Sequence, residues 1–69
     1  MVPTVIRQVE DAYRDARHWA ADTSTVRLRF AERRLRRQAL RLTQAEQVTL
    51  AGLRDELRAR GREVPDLWL

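Results

Sequence analysis

Sixty-nine residues with no cysteine, two glycines and two prolines make one small domain, near the lower size limit for an independent core and without disulfide or thiolate–metal staples. Charged residues are 35% of the chain, all fourteen basic residues are arginine, and the formal net charge is +4. This composition points to an all-α domain; no apolar run is long enough to span a membrane, and the opening MVPTVIRQVED lacks the regions of a secretory leader, so a cytoplasmic location is expected.

The first predicted element covers residues 3–21. Pro3 suits a first helical turn, and Val2, Val5, Ile6, Val9, Ala12, Tyr13, Ala16, Trp19 and Ala20 recur at helical spacing along one stripe. Arg7, Glu10, Asp11, Arg14, Asp15, Arg17 and His18 fall on or near the opposite side. Asp22-Thr23-Ser24-Thr25 then supplies N-cap candidates for a new start.

Residues 24–61 read as a long helix or a helix pair, giving a helical hairpin or a three-helix unit. Leu28, Ala31, Leu35, Ala39 and Leu42 form one stripe, and at about 100° per residue it runs on into Leu50, Leu53 and Leu57. Thr43 with Glu46 forms the sequence pattern of a capping box, which argues instead for a break at Thr43. The shared phase narrowly favours one helix from about Ser24 to Arg60, with Gly52 as a soft point. Such a helix would run about 55 Å against about 30 Å for the first. Leu50, Leu53 and Leu57 would then need a second copy or an obligate partner chain to cover them.

Thr25-Val26-Arg27-Leu28-Arg29-Phe30 also alternates with period two. Read as a strand before two helices, residues 25–61 resemble the ribbon-helix-helix family of DNA-binding dimers. That resemblance implies Thr25, Arg27 and Arg29 facing DNA, and Val26, Leu28 and Phe30 facing a core. A full helix ahead of the strand, and no glycine at the turn between the later helices, depart from the family pattern.

Gly61 and Val64-Pro65 mark the helical end. Residues 64–69 form a short tail in which Leu67, Trp68 and Leu69 either fold back, bringing Trp68 to Trp19, or dock on a neighbour.

Catalysis has few candidates. His18 is the only histidine and lies on a polar face, Ser24 suits a cap, and no residues have metal-ligand spacing or form a phosphate-cradling glycine loop. Adjacent carboxylates such as Glu10/Asp11 and Asp55/Glu56 diverge on a helix. Pairs such as Asp11/Arg14, Arg54/Arg58 and Glu56/Arg60 read as solvated faces. The expectation is a non-enzyme with no metal, cofactor or small-molecule substrate.

Charge segregation is the stronger signal. Residues 1–22 and 43–69 each carry a net −1, whereas residues 23–42 carry seven arginines against Glu32, a net +6. Arg29, Arg33, Arg36, Arg37 and Arg41 project away from the leucine stripe, Arg27 and Arg34 flank them, and Val26, Phe30 and Leu40 lie among them. Arginine suits phosphate and carboxylate alike. Two functions are therefore expected. One is nucleic-acid binding through these seven arginines. The other is an adaptor role in a larger assembly, meeting an acidic protein surface through Val26, Phe30, Leu40, the second leucine set and the tail. A plain solvated arginine face is the bland alternative.

Overall fold

The structure, a computed structural model, describes residues 4–65. Three α-helices make it up: α1 over Thr4–Ala21, α2 over Thr25–Arg37 and α3 over Gln44–Ala59, with one 3-10 turn at Ala39–Arg41 between α2 and α3. The all-α expectation holds in its three-helix form. Thr25–Phe30 is helical and no strand occurs among the described residues, so the ribbon-helix-helix alternative is set aside. Period-two alternation over six residues is too short to outweigh a capped, leucine-striped helix. Val2 and the tail residues Leu67, Trp68 and Leu69 lie outside the described residues.

Each boundary has a local cause. The Thr23 hydroxyl donates to the Trp19 carbonyl and the Thr23 amide to Ala20 O at 3.1 Å, closing α1. Ser24 is the N-cap of α2, extended at φ −62° and ψ 152°, with its Oγ accepting from the Arg27 amide at 3.3 Å. At the other end of the chain Arg60 follows α3 and Gly61 adopts φ 75°, the left-handed conformation that ends a helix readily.

The single long helix is overturned. Leu42 and Thr43 are both extended, at ψ 140° and ψ 166°, and the chain turns back there. The capping box forms in full: Thr43 Oγ1 accepts from the Glu46 amide at 3.2 Å, and Glu46 Oε1 accepts from the Thr43 amide at 3.0 Å. Hydrogen bonding of the ionised carboxylate to Thr43, its backbone amide first and its side chain second, holds the Glu46 carboxyl below its ordinary value. Folding back also buries leucines that a straight helix would leave wet, each worth about 1.5–3 kcal/mol. The common phase of the two stripes was no evidence of continuity, because each helix needs its own stripe toward the same core.

Leu50, Leu53 and Leu57 are consequently 2% exposed, covered by their own chain. Their expected role as an interface with a second copy or partner is corrected, and with it the argument that the fold requires one. Ala20, Leu28, Leu53 and Leu57 form the central cluster, with Ala31, Leu35 and Val64 packed against it. Val64 thus belongs to the core rather than to a docking tail.

Helix α3 packs against both α1 and α2, which contact each other little, and the Cα extents of 38 × 28 × 15 Å describe a flat, layer-like arrangement. The α1–α3 crossing is close at Gly52, where a Cβ would sit 2.9 Å from Ala16 Cβ. Gly52 is therefore a packing position rather than a soft point. Nearby, the Tyr13 hydroxyl donates to Asp55 Oδ2 at 2.6 Å, and this bond is the first cause of the raised Tyr13 pKa.

Two arginine clusters tie the helices together. Glu32 and Arg54 are buried, at 3% and 5% exposure, with Arg54 Nη1 3.0 Å from Glu32 Oε2 and Arg54 Nη2 donating to Pro65 O. Arg36 Nε lies 3.1 Å from the same Glu32 oxygen, an ion pair without hydrogen-bond alignment. Arg60 donates to Glu56 Oε2 at 2.9 Å, Thr25 Oγ1 at 3.0 Å, Ala20 O at 2.7 Å and Thr23 O at 2.8 Å. It joins α3 to the α1–α2 turn. Arg54 and Arg60 were expected on solvated faces. Both instead carry structure.

Candidate nucleic-acid interface

Leu28 and Leu35 turn α2 toward α3, which sends the far side of the helix into solvent. Arg27, Arg29, Arg33, Arg34 and Arg37 are exposed on α2 and Arg41 is exposed in the 3-10 turn. Among the described residues none of these six forms an ion pair, whereas Arg14, Arg17, Arg36, Arg54, Arg58 and Arg60 all do. Arg36, the seventh expected contact, is half-buried beside Glu32 and belongs partly to the fold.

The arginines crowd one another. Arg29/Arg33 and Arg33/Arg37 are i,i+4 pairs of like charge, each destabilising a helix by a few tenths of a kcal/mol, about 0.2–0.5. Arg34, Arg36 and Arg37 lie in the last turn, where the helix dipole offsets part of that repulsion. Arg27, Arg29 and Arg33 lie before it. An anion placed over this face would relieve the repulsion that the fold leaves in place.

Phe30 stands inside the cluster. The residue is 68% exposed, and with Arg33, Arg34, Arg37 and Gln38 it lines an open hollow of about 640 Å³. Val26, one turn earlier, is 66% exposed. Leu40 is fully exposed in the 3-10 turn and does not line the hollow, so the expected second apolar set divides into a Val26–Phe30 pair and an isolated Leu40.

Arg34 and Gln38 also edge a second hollow of about 600 Å³, between α1 and α2 over α3. Its floor and walls include Ala16, Trp19, Ala31, Leu35 and Leu53, with Asp15 and Glu46 at polar positions. Trp19 and Ile6, both on the apolar stripe of α1, are about half exposed, at 49% and 48%. The little contact between α1 and α2 leaves the Trp19 edge of α1 open over this hollow.

His18 is exposed, and no group of three or more histidine, cysteine or acidic side chains could hold a metal ion among the described residues. No helix among them is long and apolar enough to cross a membrane. The buried Glu32–Arg54 pair escaped the sequence reading, though a signal was present: each sits four residues after a core leucine, Leu28 and Leu50. Glu32 is also the one acid in the arginine-rich segment. Set against protein-family models, curated proteins and solved structures, the chain matches none.

Proposed function

We propose that this chain is a cytoplasmic, non-enzymatic nucleic-acid-binding accessory or regulatory protein whose contact surface is the outer face of α2. The observation that carries this reading is the set of six exposed arginines, unpaired among the described residues and concentrated on one helix and the turn after it. Outside this face three carboxylates do meet arginines: Asp11 meets Arg14, Asp55 meets Arg58, and Glu56 meets both Arg17 and Arg60. An uncompensated arginine face beside such pairing suits a polyanion, which supplies many phosphates at fixed spacing. Binding is expected to weaken steeply with salt, by about 0.7–0.9 in log–log slope for each phosphate engaged. Titrating labelled oligonucleotides at about 50 mM and about 200 mM salt tests it. A chain that binds neither duplex nor single strand at the lower salt refutes the reading.

The adaptor reading keeps one specific support, the fully exposed Leu40 apart from the arginine hollow. It calls for a protein partner that loses affinity on Leu40→Ala while nucleic-acid binding is unchanged. A partner insensitive to Leu40→Ala and Phe30→Ala would remove it.

A further inference from the structure

Phe30 is the unexplained part of the arginine face. It packs on no core cluster, it is 68% exposed, and three arginines share its hollow. A lone exposed apolar residue is ordinary on a protein surface. An aromatic ring centred among phosphate-binding groups is a narrower arrangement, because it offers a flat apolar face where anionic ligands are drawn in. In a duplex the base faces are stacked on one another and only base edges and phosphates are presented. In a single strand the faces are free, and stacking them on an aromatic ring is the common device of sequence-tolerant binders.

The amides that read adenine edges are scarce at this hollow. The chain has no asparagine, and Gln38 is the one amide lining the hollow. Bidentate adenine recognition therefore has a single candidate side chain, which sits at the end of α2. The three arginines can meet phosphates or guanine edges, and the exposed ring adds a stacking face that a closed duplex does not use.

Building on the nucleic-acid reading above, we propose that the ligand is single-stranded: a base stacks on Phe30 while Arg33, Arg34 and Arg37 hold the flanking phosphates. Sequence preference is weak, since stacking accepts every base. DNA and RNA strands share this chemistry, as neither the ring nor the guanidinium groups need to read the 2′ position.

The test compares four labelled probes of about 15 nucleotides by fluorescence anisotropy at about 50 mM salt: oligothymidine, an abasic strand with the same phosphates, oligouridine, and a duplex. Wild type is expected to bind oligothymidine about fivefold or more tighter than the abasic strand. Phe30→Ala and Phe30→Leu erase that preference and leave abasic binding unchanged. Phe30→Trp retains it. Because Phe30 is exposed, the three variants melt with wild type, and circular dichroism checks this.

Equal wild-type affinity for thymidine and abasic strands overturns the proposal, as does a Phe30→Leu variant with undiminished preference. A duplex bound more tightly than either strand, with Phe30→Ala silent, overturns it too and leaves the arginine-face reading standing. Absence of binding to every probe removes both. Comparable affinity for oligouridine and oligothymidine is the expected result, and a preference of about tenfold for either would overturn the claim that the 2′ position goes unread.

Discussion

On α3, Arg54 and Arg60 turn inward. One meets the buried Glu32 carboxylate and a backbone carbonyl; the other meets Glu56, a threonine hydroxyl and two carbonyls. On α2, Arg33, Arg34 and Arg37 turn outward around Phe30 and find no carboxylate among the described residues. The side chain is the same in both places, so its chemistry does not decide its role. Phase and supply of acceptors do. Arg54 stands one residue past Leu53 and four past Leu50, inside the arc that α3 buries. The outer arginines stand opposite Leu28 and Leu35, where no acceptor is provided. An inner arginine holds helices together, and an outer one is left in solvent, where the proposed ligand would meet it.

Removing an inner partner should have the largest effect. Arg54→Ala leaves the buried Glu32 carboxylate with only the poorly aligned, half-buried Arg36 beside it, a change expected to cost about 3 kcal/mol or more. Domains hold about 0.05–0.15 kcal/mol per residue, so urea melts should show this variant largely unfolded or close to it. The joint swap Glu32→Leu with Arg54→Met removes both charges and should recover most of the loss. An Arg54→Ala protein as stable as wild type would break the inner–outer distinction at its strongest point.

Arg60→Ala comes next, at about 2 kcal/mol, because the Ala20 and Thr23 carbonyls at the α1–α2 turn lose a charged donor. Arg60→Lys should recover little, since one ammonium group cannot reproduce a fork with four acceptors. Hydrogen exchange at the α1–α2 turn reports this loss locally, and unchanged protection there would count against the clamp.

Much of this division was legible in advance, and the unread part has physical causes. The α1 stripe, the Ser24 start, the Thr43–Glu46 box and the Gly61 stop are local signals, and each formed as the local chemistry dictates. Phase alone placed Arg29, Arg33, Arg36, Arg37 and Arg41 outward with Arg27 and Arg34 on a flank; all are exposed except Arg36, which is half-buried beside Glu32. The fold-back at Thr43 was not legible, because choosing between a helix and a hairpin weighs distant leucines that only meet once the chain turns. Arg54 and Arg60 were read as solvated for the same reason. The acceptors that draw them inward, Glu32 for Arg54 and Thr25, Ala20 and Thr23 for Arg60, lie 22 to 40 residues away in sequence.

The Thr43 break separates the two arginine regions, and its effect is smaller. Thr43→Ala should cost about 1 kcal/mol by deleting the N-cap acceptor. The accompanying pH dependence has a definite sign. Glu46 has a folded-state pKa below its ordinary 4.5, so its contribution is present above that value and is lost as pH falls through the folded pKa. Melts of wild type and Glu46→Gln between neutral pH and about pH 3 should therefore converge toward the acid end. A constant separation across that range would show that the ionised carboxylate adds nothing at the cap.

The smallest effect on stability belongs to the outer arginines, and its sign is opposite. Arg33→Gln with Arg37→Gln removes the Arg29/Arg33 and Arg33/Arg37 repulsions and breaks no ion pair among the described residues. Helix propensity is nearly unchanged by the exchange. Loss of the Arg37 charge from the last turn forfeits some dipole stabilisation, which offsets part of the gain. The net expectation is a folding free energy equal to wild type or higher by about 0.5 kcal/mol or less. Single-strand affinity should meanwhile fall and its salt slope should flatten by about 1.4, two phosphates' worth. Stability held or raised while binding drops separates a ligand surface from a structural one. A double variant destabilised as Arg54→Ala is would place these arginines in the fold after all. An unchanged salt slope would release them from phosphate contact and return the α2 face to solvent.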